Sequence, residues 1–203
     1  MNETRLEPGK NERLRNLTQT LNAEIRVQPH IIPRVGSVLQ RGELGLCKAG
    51  RPRGSFLFLG PTGVGKTELT QVFTNALFGG EKLLCFDMSE FQTQELLGLL
   101  LGARAGESRF FGAAYGRTKM GTLLFDEVEK AHPRIMDVFL QILDAARVPI
   151  ATGETLDLSG FYIMMTSSLG SAELMTLQHS AESTLERHVL SRAQQSMRAS
   201  PKN

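Results

Sequence analysis

No stretch of the 203 residues approaches the roughly 18 consecutive apolar positions that a membrane-crossing helix requires. The opening Met1-Asn2-Glu3-Thr4-Arg5 carries no apolar segment of the kind that directs export. Cysteine is scarce as well. Cys47 and Cys85 form no Cys-x-x-Cys pair and have no histidine cluster beside them, so neither a disulfide framework nor a zinc site is indicated and a reducing cytoplasm is the expected compartment. Cys85, inside an apolar run, is expected as a small buried hydrophobe. An excess of one charge is also lacking: 23 Lys/Arg against 21 Asp/Glu leave a formal +2, too little to argue for nucleic acid. Only residues 1–53 are locally basic, with ten Lys/Arg against five Glu. A nucleic-acid partner draws on that excess alone and ranks last, and no membrane partner is expected. What is present, 41% hydrophobic and 22% charged residues, describes a soluble globular chain of one domain, two at most, and excludes disorder and collagen.

The first 24 residues are polar and weakly periodic, which predicts a surface helix or a partly ordered arm. Ile32, Val35, Val38 and Leu39 fall at helical spacing, with Pro33 in the first turn and Gly42 and Gly45 closing the segment. The run Ser55-Phe56-Leu57-Phe58-Leu59 suits a central strand buried on both faces. Leu69, Val72, Phe73, Ala76 and Leu77 then recur at helical spacing, and Gly79-Gly80 ends the pattern as a cap would. Further strands are predicted at Leu83–Phe86, Leu123–Phe125 and Tyr162–Met165, and a helix opening at His132-Pro133 carries Ile135, Met136, Phe139, Ile142, Leu143 and Ala146. Strands alternating with amphipathic helices predict an α/β doubly wound parallel sheet, whose ligands bind beyond the carboxyl ends of the strands.

Gly60-Pro61-Thr62-Gly63-Val64-Gly65-Lys66-Thr67 fits G-x-x-x-x-G-K-[ST], placed between a strand and an amphipathic helix as that motif requires. Glycines let backbone N–H groups turn inward around phosphate oxygens, and the helix presents its N-terminus to them. Lys66 then reaches the β and γ phosphates as a point charge, and the Thr67 hydroxyl ligates Mg²⁺. The nucleotide-binding stretch runs from Gly60 through Glu68. Asp126 and Glu127 end the third apolar strand; joined to the phosphate loop, Asp126 is the metal carboxylate and Glu127 the base that deprotonates the attacking water. His132 and His188 have no partner at ligand spacing and are expected to be structural.

These motifs lie in longer strings: Arg51-Pro52 with Gly54 through Leu69, Asp87-Met88-Ser89-Glu90-Phe91, Leu124-Phe125-Asp126-Glu127-Val128-Glu129-Lys130-Ala131-His132-Pro133, and Met165-Thr166-Ser167-Ser168-Leu169-Gly170-Ser171. Together, from about Ile25 to Ser171, they resemble the second ATPase module of the Clp/heat-shock unfoldases in the AAA+ superfamily, whose relatives include the ATPases that dismantle type VI secretion sheaths. The resemblance implies a P-loop large subdomain over residues 25–175, ATP and Mg²⁺ as cofactors, protein chains as substrates, and neighbouring AAA+ subunits in a hexameric ring that pulls chains through a central pore. It places the family's γ-phosphate-reading asparagine at Ser168, a shorter hydroxyl with a catalytic part to play, and its adenine-contacting segment at Ile25-Arg26-Val27-Gln28.

The pore-loop counterpart is Arg109-Phe110-Phe111-Gly112, in which Phe110 either grips a threaded chain or packs with Phe111 as ordinary core. The segment Asp144 to Leu158 is either the second pore-facing loop or a plain surface hairpin. Residues 176–203 read as a polar helical tail in which Arg198 is a faint counterpart of the trans-acting arginine finger, and the family's small helical lid is missing. The resemblance therefore carries two expectations. One is a Clp-type ATPase module, mainly monomeric and slow as the isolated chain. The other is a nucleotide-gated interaction or regulatory module with weak hydrolysis of its own, favoured by Ser168 and by the end of the chain.

Overall fold

The computed structural model describes residues 8–25, 31–101 and 110–169. Arg26, Val27, Gln28, Arg109, His188, Arg198 and the 176–203 tail lie outside the described residues. Four parallel strands, β1 (Gly54–Leu59), β2 (Leu83–Asp87), β3 (Gly121–Asp126) and β6 (Phe161–Ser167), form one sheet in the order β1-β6-β3-β2. The α/β doubly wound expectation is met. Strands β3 and β6 are covered on both faces, which is why they read as unbroken apolar runs. Alternate residues divide between two cores. Leu123, Phe125, Phe161, Ile163 and Met165 face one; Leu124, Tyr162 and Met164 face the other.

The second core is closed by α1 (Pro8–Glu24), α2 (Ile32–Glu43) and α3 (Lys66–Phe78). Of the polar N-terminal segment, residues 8–24 form a helix with a buried face: Leu14, Leu17 and Leu21 of α1 and the following Ile25 are buried. Their spacing of three and four residues is helical, but the charged residues between them mask it in sequence. The first core lies under α4 (Gln94–Leu101), α5 (Phe110–Arg117), α6 (Ile135–Ala145) and an antiparallel hairpin of β4 (Arg147–Pro149) and β5 (Thr155–Asp157). His132-Pro133 forms a turn rather than the first helical residues, with α6 starting at Ile135.

Two further expectations need correction. Among the described residues β1 is an edge, pairing only with β6, and Leu57 is 42% exposed on it, so it is neither central nor covered on both faces. Cys85 is exposed, not buried, because β2 is the opposite edge and its outward positions lack a covering layer. The register aligns Leu59 with Ser167 and Asp87 with Asp126, which brings the carboxyl ends of all four strands to one rim of the sheet. The polar loops gather there. No helix among the described residues is long and apolar enough to cross a membrane.

Candidate nucleotide site

The chain leaves β1 at Leu59 and turns at once, the Gly60 N–H donating to the Ser167 carbonyl at 3.1 Å and so tying the loop to the neighbouring strand. Gly63 and Gly65 hold φ of 84° and 86°, left-handed conformations that cost other residues about 1–2 kcal/mol each. Gly65 is the N-cap of α3, and no side chain caps that helix, so its first N–H groups keep their donors for an anion. The Lys66 ammonium donates to the carbonyl oxygens of Gly60 at 2.6 Å and Pro61 at 2.9 Å, curling back over the loop. Burial lowers the Lys66 pKa, while Asp126, Glu129 and Glu127 oppose that shift through their charges. Val64 completes the loop, and Glu68 lies exposed in the first turn of α3.

Across from the loop, Asp126 ends β3. Its Oδ1 accepts a hydrogen bond from the Thr166 hydroxyl, and the Thr166 Oγ in turn accepts from the Glu127 N–H at 3.1 Å. Thr166 thus ties both acidic residues to β6. Glu127 has φ 55° and ψ 50°, a left-handed conformation uncommon for a non-glycine residue and of the kind that concentrates at functional sites. This backbone turn sends the chain away from β3 into the short 3-10 turn Val128–Lys130, where the Lys130 ammonium donates to Glu127 Oε2 at 2.6 Å.

A cleft of about 370 Å³ opens between these parts, lined by Thr62, Gly63 and Gly65 through Glu68 on one side, and by Asp126, Glu127 and Thr166 through Ser168 on the other. The residues that the sequence singles out more than a hundred positions apart therefore share one space. Among the described residues no three His, Cys, Asp or Glu side chains group as an all-protein metal cage. The Thr67 hydroxyl and the Asp126 carboxylate are hard oxygen donors on one cleft, a set that fits Mg²⁺, which takes one or two protein oxygens and completes its shell with phosphate and water. Ser168 does line the cleft, but its hydroxyl and N–H both donate to Glu129 Oε1, at 2.5 and 2.8 Å. Thr166 and Glu129 are missed as individual residues by sequence reasoning. Both sit inside the recognised strings, but only their hydrogen bonds mark them.

The pore-loop candidates separate. Phe111 is core: 2% exposed and stacked on Phe86 at 5.3 Å and Phe125 at 6.2 Å. The side chain of Phe110 lies outside the described residues. The segment 144–158 is a hairpin, with Val148, Ile150, Leu156 and Leu158 buried beneath it and Arg147, Thr155 and Asp157 exposed. His132 plays a structural part, its N–H donating to the Phe91 carbonyl and its Nδ1 accepting from Arg134 N–H.

A phosphate loop leaving the first strand and an acidic pair ending the third, one strand removed from it across β6, on a parallel sheet with helices on both faces, define a P-loop nucleoside triphosphatase fold of the AAA+ type. The family model described as AAA domain (Cdc48 subfamily) matches residues 51–201, and the chain belongs to the Clp/heat-shock 100 family of AAA+ ATPases. It is 40% identical over 191 residues to "Chaperone protein ClpB" of Aquifex aeolicus, a span that covers 91% of this chain and 19% of that protein. It is 41% identical over 178 residues to "Heat shock protein 100" of Trypanosoma brucei brucei, covering 85% and 20%. Among solved structures, a closed-state cryo-EM reconstruction of Hsp104 with ATPyS and FITC casein superposes with a TM-score of 0.85 at 33% identity, covering 96% of this chain and 35% of that one. The S. cerevisiae Hsp104-ADP complex gives 0.83 at 32%, covering 95% and 34%. The chain spans about a fifth of the length of the curated relatives it matches.

Proposed function

We propose that the cleft binds ATP with Mg²⁺ and hydrolyses it, and that residues 25–175 form the ATPase large subdomain of a Clp-type module that remodels protein chains together with neighbouring AAA+ subunits. The observation that carries this reading is the convergence of Lys66, Thr67, Asp126 and Glu127 on one cleft at the carboxyl rim of a parallel sheet. The Gly60–Lys66 backbone and the start of α3 cradle the phosphates, and Lys66 exchanges its carbonyl partners for phosphate oxygens. Thr67 and Asp126 hold the metal. When bound, Mg²⁺ neutralises charge on the phosphate oxygens and orients them. Glu127 takes a proton from the attacking water as its oxygen bonds to the γ-phosphorus and the bond to the β,γ-bridging oxygen breaks. Protein substrates are proposed from the chaperone names of the relatives, and a reducing cytoplasm agrees with free Cys47 and Cys85.

A second reading, a nucleotide-gated regulatory module with weak hydrolysis, is favoured by one observation: the Ser168 hydroxyl donates to Glu129. Calorimetry with ATP and Mg²⁺ tests what both readings share. The wild type should bind, and Lys66→Ala, with its fold checked by circular dichroism, should bind at least about tenfold more weakly for want of a charged phosphate contact. Equal affinity in the variant would refute the site.

A further inference from the structure

Glu129 lies on the 3-10 turn two residues beyond Glu127, and its Oε1 accepts from both the Ser168 hydroxyl and the Ser168 N–H. Its Oε2 is the one buried side-chain oxygen that lacks a hydrogen-bond partner among the described residues. The carboxylate is therefore held chiefly through Oε1 by Ser168, with the Ser167 side chain and its own backbone N–H contributing less. A serine hydroxyl has a single proton to donate. Here it goes to a carboxylate, in a short charge-assisted bond, so at the cleft that Ser168 lines the hydroxyl has no proton left for a phosphate oxygen. An asparagine in the same place would carry two amide protons and could serve the carboxylate and a phosphate at once.

We propose that Glu129 is a positioning residue that fastens the carboxyl end of β6 to the turn bearing Glu127 and, by taking the only hydroxyl proton of Ser168, leaves the distinction between ATP and ADP to Lys66 and the phosphate loop. This rests on the reading of the cleft as a Mg²⁺-nucleotide site. The link joins the two strands that carry the acidic pair and its Thr166 brace, so it sets the spacing of Glu127 from the loop without touching the reacting atoms.

Calorimetry on the full chain, with ADP and with a non-hydrolysable ATP analogue, each with Mg²⁺, tests the proposal through the ratio of the two affinities. Ser168→Ala should keep the wild-type ratio. Glu129→Met, similar in size but with no carboxylate acceptor, frees the Ser168 proton and should raise the ratio about tenfold, as one new hydrogen bond to a charged group would. Adding Ser168→Ala to Glu129→Met should abolish that gain, and Glu129→Gln, which keeps an acceptor, should behave as wild type. A purely structural role for Glu129 would not produce this pattern. A fall of tenfold in the ratio for Ser168→Ala alone, or no rise in Glu129→Met, would overturn the proposal. Should Glu129→Met not fold, Ser168→Asn decides: its second amide proton should raise the ratio, and no rise refutes the idea. If the wild type binds neither nucleotide, the nucleotide reading fails. The anchoring is then judged by amide exchange at Ser168, which should quicken in Glu129→Gln and still more in Glu129→Met, and equal exchange in all three refutes it.

Discussion

Replacing Arg53 by methionine should destabilise the chain far more than loss of a surface charge. Glu43, at the end of α2, keeps its side chain only 4% exposed, and Arg53 Nη1 donates to its Oε1 at 2.7 Å while remaining 21% exposed itself. The Tyr162 hydroxyl on β6 shares its one proton between the Leu39 carbonyl at 2.8 Å and the same oxygen at 3.1 Å, and burial with the nearby Glu43 charge pushes its pKa far up, so it stays a donor. Arg53 also stands over the Phe78 ring of α3 at 5.8 Å. Removing one partner from a buried pair costs about 3–5 kcal/mol. Arg53 is partly solvated and Tyr162 continues to serve the carboxylate, so the expected loss is about 2–3 kcal/mol, or a fall in Tm of about 4–12 °C for a chain of this length. Urea unfolding followed by circular dichroism measures it. Adding Glu43→Met removes the buried carboxylate that has lost Arg53 and leaves Tyr162 its Leu39 partner, so the double variant should recover to within about 1 kcal/mol of wild type. A single variant that costs less than about 0.5 kcal/mol, or a double variant worse than the single, would refute this account of how α2 is held to the chain entering β1.

Phe111→Ala should cost about 3–5 kcal/mol, because it empties a 2% exposed site in an aromatic stack; a cost under about 1 kcal/mol would refute Phe111 as a core residue. Glu127→Gln should keep Mg²⁺-ATP binding while phosphate release falls about 10²–10⁴-fold, since only the proton acceptor is lost, and turnover at the wild-type rate would exclude Glu127 as the base. Burial pushes the Glu129 carboxyl up, but hydrogen bonds, first those from Ser168 and then those from its own N–H and the Ser167 side chain, outweigh it and hold the group below its usual range. A depressed folded value means that Glu129 contributes stability at neutral pH that is lost as pH falls through that value. Ser168→Ala should therefore raise the Glu129 titration seen by carboxyl-carbon NMR and reduce the stability lost on acidification, since the folded value moves closer to the unfolded one; an unchanged or lower titration would show that the hydroxyl is not what holds it down.

Residue order alone made the phosphate loop and the acidic pair legible, because each is local: the glycine spacing in Gly60 to Thr67 and the apolar run ending at Asp126 are properties of a few adjacent residues. The same holds for α2, α3 and the strand positions, whose periodicity is written in consecutive side chains. Other features depended on neighbours distant in the chain. Leu17 and Leu21 turn α1 into a core helix only because α3 presents an apolar face to them, and Cys85 is exposed only because β2 lies at an edge among the described strands, which strand order decides and strand sequence does not. Phe111 could pack or project until Phe86 and Phe125 were in place around it. The Glu129–Ser168 bond spans 39 residues and the Thr166–Asp126 bond 40, and no local pattern pairs such side chains. They meet because β3 and β6 are parallel neighbours whose carboxyl ends finish level, so the short polar groups there must satisfy one another across the rim.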